Sequence, residues 1–168
     1  YALTNEAFCG VLAVTEVEGS DAATFLAKAV PFANEVCWGT LSCMLFVHHE
    51  TEKQYGPQVE QAIADLRYGG IGVNCWSGLV YGLVVTTWGA FPGHPAEDIR
   101  SGAGVVHNAY LFDHPQKSVV RTPFVIKPTP AWFPDHKNLA QLGRRITMFE
   151  ADPSWRNLPG VAVAGLRG

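Results

Sequence analysis

Thr40-Leu41-Ser42-Cys43-Met44-Leu45-Phe46-Val47 is a continuous apolar run, suited to a strand covered on both faces. Downstream of it, Thr51 and Gln54 have capping-box spacing, and Pro57 can restart a helix at its first turn. Val59, Ala62, Ile63 and Leu66 then fall on one helical face, and Gly69-Gly70 supplies a stop. Ile71-Gly72-Val73-Asn74-Cys75 follows as a short buried strand. Upstream, Val11, Ala13, Thr15 and Val17 alternate with Leu12, Val14 and Glu16, the period of a strand. Gly19-Ser20-Asp21 offers a helix cap, because Ser and Asp oxygens can accept from the free amides of a first turn. Ala22, Phe25, Leu26 and Ala29 continue at helical spacing, and Pro31 limits that helix. Strand, helix, strand, helix, strand with short loops implies parallel pairing through right-handed crossovers. The expected fold class is therefore α/β, a mostly parallel sheet flanked by helices.

Beyond Cys75 the pattern loosens. Residues 76–90 mix aromatic and β-branched residues with Gly78, Gly82 and Gly89, as a loop or an irregular strand would. Phe91-Pro92-Gly93-His94-Pro95 is a turn, with a brief helix expected over 95–101. Residues 117–127 (KSVVRTPFVIK) read as a C-terminal strand, with Pro123 suited to a sheet edge. Pro128, Pro130 and Pro134 make a stiff linker, and Asp135 caps a last helix with Leu139, Leu142, Ile146 and Phe149 on one stripe. The reading divides the chain into 1–127 and a helical extension over 128–168.

With 168 residues there is ample chain for one core. Hydrophobic residues make up 48% and charged residues 16%, more apolar than an average domain, which implies surface that faces another chain or a missing part of this one. No apolar run is long enough to span a bilayer, so no membrane partner is expected. The net charge of −3, with both signs interspersed, is wrong for a nucleic-acid surface. The opening at Tyr1, without initiator Met or signal peptide, reads as a piece of a longer protein. Four cysteines without CxxC spacing read as reduced, mostly buried thiols of a cytoplasmic protein.

Candidate chemistry in the side chains is sparse. His48 and His49 are neighbours at a strand end, where alternation would aim them at opposite faces. His94, His107, His114 and His136 lack the spacings that build zinc sites. Cys43 and Cys75 lie in strands and Cys37 between Val36 and Trp38, and apolar burial would quiet such thiols. No GxGxxG or GxxxxGK[ST] follows a predicted strand.

Asn5-Glu6-Ala7-Phe8-Cys9-Gly10-Val11-Leu12-Ala13-Val14 resembles the E-x-F-G-P-V motif of NAD(P)-dependent aldehyde dehydrogenases, with Cys9 and Gly10 in place of the Gly and Pro. The likeness continues in order. Asn34 to Trp38-Gly39 is similar to N-x-x-x-Y-G-L, Gly72-Val73-Asn74 to G-x-V-x-V-N, and Trp88-Gly89-Ala90-Phe91 to P-F-G-G-x-K. Gly104-Val105-Val106-His107-Asn108 resembles the closing helix, and Lys117-Ser118-Val119-Val120 the E-V-K-T-V strand that pairs subunits.

The resemblance implies the C-terminal part of an aldehyde dehydrogenase-like fold with NAD or NADP as cofactor. By that likeness Glu6 would bind the nicotinamide-side ribose hydroxyls, Phe8 would pack beside the nicotinamide, and Trp88 would wall the substrate tunnel. The nucleophilic Cys, the general base and the nucleotide-binding fold all precede the motif in that family. The chain is thus expected to be inactive alone, with a missing N-terminal part, further copies of itself and an aldehyde substrate as partners. The competing reading is a non-enzymatic association module.

Overall fold

The computed structural model describes residues 1–131 and 133–168 and contains two compact units, Tyr1–Phe124 and Val125–Gly168. The first holds an α/β core. Its first helix, α1 (Ala22–Glu35), starts at the expected cap: Asp21 Oδ1 accepts from the Thr24 amide at 2.8 Å, and Thr24 Oγ1 accepts from the Asp21 amide at 3.1 Å. That amide bond holds the Asp21 carboxyl below its ordinary value. Pro31 does not end α1, which runs through it to Glu35. Burial of Leu26 and Val30 on the inner face sustains the helix despite the one amide that Pro31 lacks.

Strand β1 (Ser42–Leu45) pairs in parallel with β2 (Gly70–Val73), which pairs in parallel with β5 (Ser118–Arg121). The order is β1-β2-β5, so β2 is central and all of it is buried. The parallel α/β core is as expected. The apolar run 40–47 is only half covered, because β1 is an edge: Met44 is 49% exposed and Phe46 61%. Residues 11–17, expected as a strand, have no sheet neighbour, and Val11, Leu12 and Val14 stand in solvent.

Helix α2 (His49–Asp65) joins β1 to β2. It begins upstream of the Thr51/Gln54 pair, with His48 as cap, its Nδ1 accepting from the Glu50 amide at 3.3 Å. Tyr55 is non-helical (φ −121, ψ 25), and Pro57 opens the turn after the break, the position where a missing amide costs least. Val59, Ala62, Ile63 and Leu66 are all buried and join Leu26, Val30, Ile71 and Val73 in one core. Gly72 is required by packing, since a Cβ there would stand 2.6 Å from the Cys75 carbonyl oxygen.

The end of α2 is closed from a distance. Lys117 Nζ donates to the carbonyls of Ile63 (3.0 Å), Ala64 (2.7 Å) and Leu66 (2.5 Å), satisfying acceptors that a helix C-terminus leaves unpaired. Burial pushes its pKa down, and Asp65 acts against that. Lys117→Met is expected to cost about 2–3 kcal/mol, because the carbonyls lose a charged donor while the stem still packs. That corresponds to a thermal midpoint lower by roughly 5–10 °C. A loss below about 0.5 kcal/mol in urea titration would show that water replaces the ammonium.

Residues 76–90 form a short helix, α3 (Leu79–Gly82), and then β3 (Trp88–Gly89), which pairs antiparallel with β4 (Val105–Val106). The segment likened to a closing helix is therefore a strand, and it ends in left-handed His107 (φ 61) and Asn108 (φ 47). Residues 95–101 make turns in place of the expected helix, and the strand expected over 117–127 stops at Arg121, before Pro123.

In the second unit, α4 (Leu139–Ala151) packs on α5 (Leu158–Gly165), a helix the sequence reading did not separate. Asn138, and not Asp135, is the cap residue of α4. Of the expected stripe only Leu142 is buried, while Leu139 and Ile146 are exposed. Buried His136 accepts from the Asn138 amide at Nδ1 (3.2 Å), which leaves Nε2 as the donor toward the Gly165 carbonyl at 3.3 Å.

Candidate functional site

Four separate stretches of the first unit meet at the N-terminal edge of the sheet. The opening turn is tied down by the Trp38 amide, which donates to the Leu3 carbonyl at 2.7 Å. The loop between α1 and β1 is tied in turn to residue 101, where Ser101 Oγ accepts from the Thr40 amide at 2.9 Å. Tyr68, just before β2, is buried and donates from its hydroxyl to the Ala33 carbonyl at 2.9 Å. Between these pieces lies a cavity of about 490 Å³ whose wall includes Glu6, Trp38, Ser42, Tyr68, Arg100 and Ser101. A volume of that size lies within the range of small-molecule sites.

Glu6 is the one residue of the family-derived set on that wall. Its carboxylate is exposed and free to accept two hydroxyls. Phe8 is 88% exposed, in a left-handed conformation (φ 48), and is not part of the wall. Trp88 is elsewhere: it sits in β3 against Tyr81, ring centroids 5.9 Å apart, and covers Gly70, where a Cβ would lie 3.0 Å from the indole. The structure does not gather Glu6, Phe8 and Trp88 into one site.

Arg100 is the cation the sequence reading passed over. Its φ is 45, unusual for a side chain of that size, and its Nε lies 3.3 Å from Asp98 Oδ2. No local pattern marks it, because apart from Ser101 its neighbours on the wall are far away in sequence. No family model, curated protein or solved structure matches this chain.

Three of the four thiols, Cys37, Cys43 and Cys75, are poor nucleophiles. Burial raises the pKa of Cys43 to about 11, with Cys37 nearby adding to it, and burial also raises Cys37 and Cys75. Among the described residues no three His, Cys, Asp or Glu side chains gather to hold a metal ion. His48 and His49 do not diverge as a strand would make them: their rings lie 4.0 Å apart. The strand ends at Leu45, so the pleat no longer sets their directions. No described helix is long and apolar enough to cross a membrane.

Proposed function

We propose that this chain is the C-terminal portion of an aldehyde dehydrogenase-like oxidoreductase, which oxidises an aldehyde to a carboxylic acid with NAD or NADP and is inactive without its N-terminal portion. The observation that carries the reading is Glu6, an exposed carboxylate with no partner among the described residues, on the wall of a ligand-sized cavity and inside the motif segment 5–14. Its chemistry fits a ribose diol. Phe8 fits only if the turn that carries it swings toward the cavity. NAD(P) would supply the hydride acceptor; this chain would contribute the ribose contact, with Trp88 as a tunnel wall. The reaction also needs a thiolate to attack the carbonyl; burial disfavours that role for Cys37, Cys43 and Cys75, and the family resemblance puts the nucleophile ahead of the motif at 5–14.

Homo-oligomerisation belongs to the same proposal, with residues 119–126 pairing across a subunit interface. β5 is an edge strand, which supports it. The exposed Tyr110, Leu111 and Trp155 favour a second reading, an association module without catalysis.

The test is to isolate the native polypeptide that contains this sequence and identify its peptides by mass spectrometry. The expected result is sequence N-terminal to Tyr1 and aldehyde-dependent reduction of NAD or NADP. Glu6→Ala should then raise the KM for the dinucleotide about 10-fold, the loss of one to two hydrogen bonds to a charged group. A native chain that begins at Tyr1, or a longer one that binds neither dinucleotide, would leave the association module standing.

A further inference from the structure

The apolar segment 11–17 is extended and exposed, with Val11 62%, Leu12 85% and Val14 85% accessible. Among the described residues its backbone makes no hydrogen bond. Both of its ends, however, lie beside flanking elements. Val11 shares the cavity wall with Leu41 and Ser42, at the start of β1. At the other end Glu18 lies 3.9 Å from Lys28 of α1, and Gly19 is packed so closely on Phe25 that a Cβ would stand 2.7 Å from its backbone.

These anchors set a direction. The C-terminus of α1 feeds β1 through residues 36–41, so α1 runs back along the sheet and begins at the opposite edge. A segment that leads from the start of β1 to the start of α1 therefore runs parallel to β1. Its seven residues (11 to 17) span about 23 Å when extended, close to the roughly 21 Å of the 14-residue α1.

The free edge of β1 is the matching surface. The Leu41 and Leu45 carbonyls accept from the amides of Gly70 and Asn74, so the backbone groups of Ser42, Met44 and Phe46 face away from β2. Handedness selects this edge. Helices α1 and α2 pack on each other and so share one face of the sheet. Successive right-handed crossovers on one face step across a sheet in the same direction. The step through α2 goes from β1 to β2, so the strand that feeds α1 belongs on the other side of β1.

We propose that residues 11–17 seat on the free edge of β1 as a fourth parallel strand, giving the order (11–17)-β1-β2-β5. Seating pairs the outward backbone of Ser42, Met44 and Phe46 and removes Val11, Leu12, Val14 and Phe46 from part of the solvent they meet in the open form. It also holds residues 5–10 at the cavity mouth.

Amide hydrogen exchange, read by NMR at concentrations where sedimentation shows a monomer, tests it. The Met44 and Phe46 amides and alternate amides of 11–17 are expected to exchange at least about 100-fold more slowly than in an unstructured chain. In the double variant Val14→Pro/Thr15→Pro, one of the two prolines must remove a ladder donor. That protection should be lost while Ile71 and Val73 stay protected. Wild-type Met44 and Phe46 exchanging at unstructured rates would overturn the proposal, whether or not the double variant folds. So would protection that survives both prolines, or that appears only in a dimer, which would mean a strand donated by a second copy.

Discussion

Between about pH 9 and about pH 12 the first unit is expected to lose about 4 kcal/mol of stability through partly buried Cys43 and buried Tyr68. Burial raises Cys43 from 9.0 to about 11 and Tyr68 from 10.0 to about 12, with the Cys43 charge contributing to the Tyr68 shift. Each group stays protonated in the folded chain after it has ionised in the unfolded one. Its contribution is thus fully present below the unfolded pKa and is lost as pH rises through the folded one. A rise of that size corresponds to about 2.7 kcal/mol per group, and Cys43 is only partly buried, so solvent screening brings the joint effect below the sum. Cys37 and Cys75, also raised, act in the same direction, while Lys117, whose pKa is lowered, acts the opposite way just below 10.5. Urea midpoints across this range should fall steeply in the wild type. Cys43→Ala should flatten the lower part of the curve and Tyr68→Phe the upper part. Unchanged slopes in both variants would place the alkaline transition in other groups.

Asn74→Ala is expected to destabilise the chain by about 3–4 kcal/mol, or roughly 8–14 °C in thermal midpoint. Asn74 is buried where all three strands of the sheet meet. Its Oδ1 accepts from the Val47 amide at 2.7 Å, its own amide donates to Leu45 at 2.9 Å, and its carbonyl accepts from Thr122 Oγ1 at 2.8 Å. Its φ of 59 is a conformation asparagine tolerates and alanine does not. Alanine therefore leaves a buried amide without an acceptor and adds backbone strain. Glycine removes the strain but not the orphaned amide, so Asn74→Gly should lose only about 2 kcal/mol. Equal losses for the two variants would mean that the left-handed backbone is not what selects asparagine.

The contrast between Asn74 and Glu6 shows how unevenly the sequence speaks. Gly72-Val73-Asn74 was legible as the end of a buried strand, yet the link from the Asn74 amide oxygen to Val47 joins positions far apart and has no local signature. Glu6 was singled out by likeness to a motif, while the other walls of its cavity, Trp38, Tyr68 and Arg100, come from segments with no common pattern. Trp88 was assigned to the same chemistry by order along the chain. In the fold it serves to cover Gly70 of the central strand.

By itself the sequence determined what neighbours decide. The Asp21 cap of α1, the restart at Pro57, the buried face Val59, Ala62, Ile63 and Leu66, and a buried strand, expected over 71–75 and found over 70–73, all follow from hydrogen bonds and periodicities that close within a few residues. Tertiary structure alone decided that 40–47 lies at an edge, that Lys117 closes α2, that 104–108 pairs as a strand, and that 11–17 stands open beside β1. Apolar alternation states that a segment can pair, but the choice of partner depends on the competing edges and helices that the rest of the chain brings within reach.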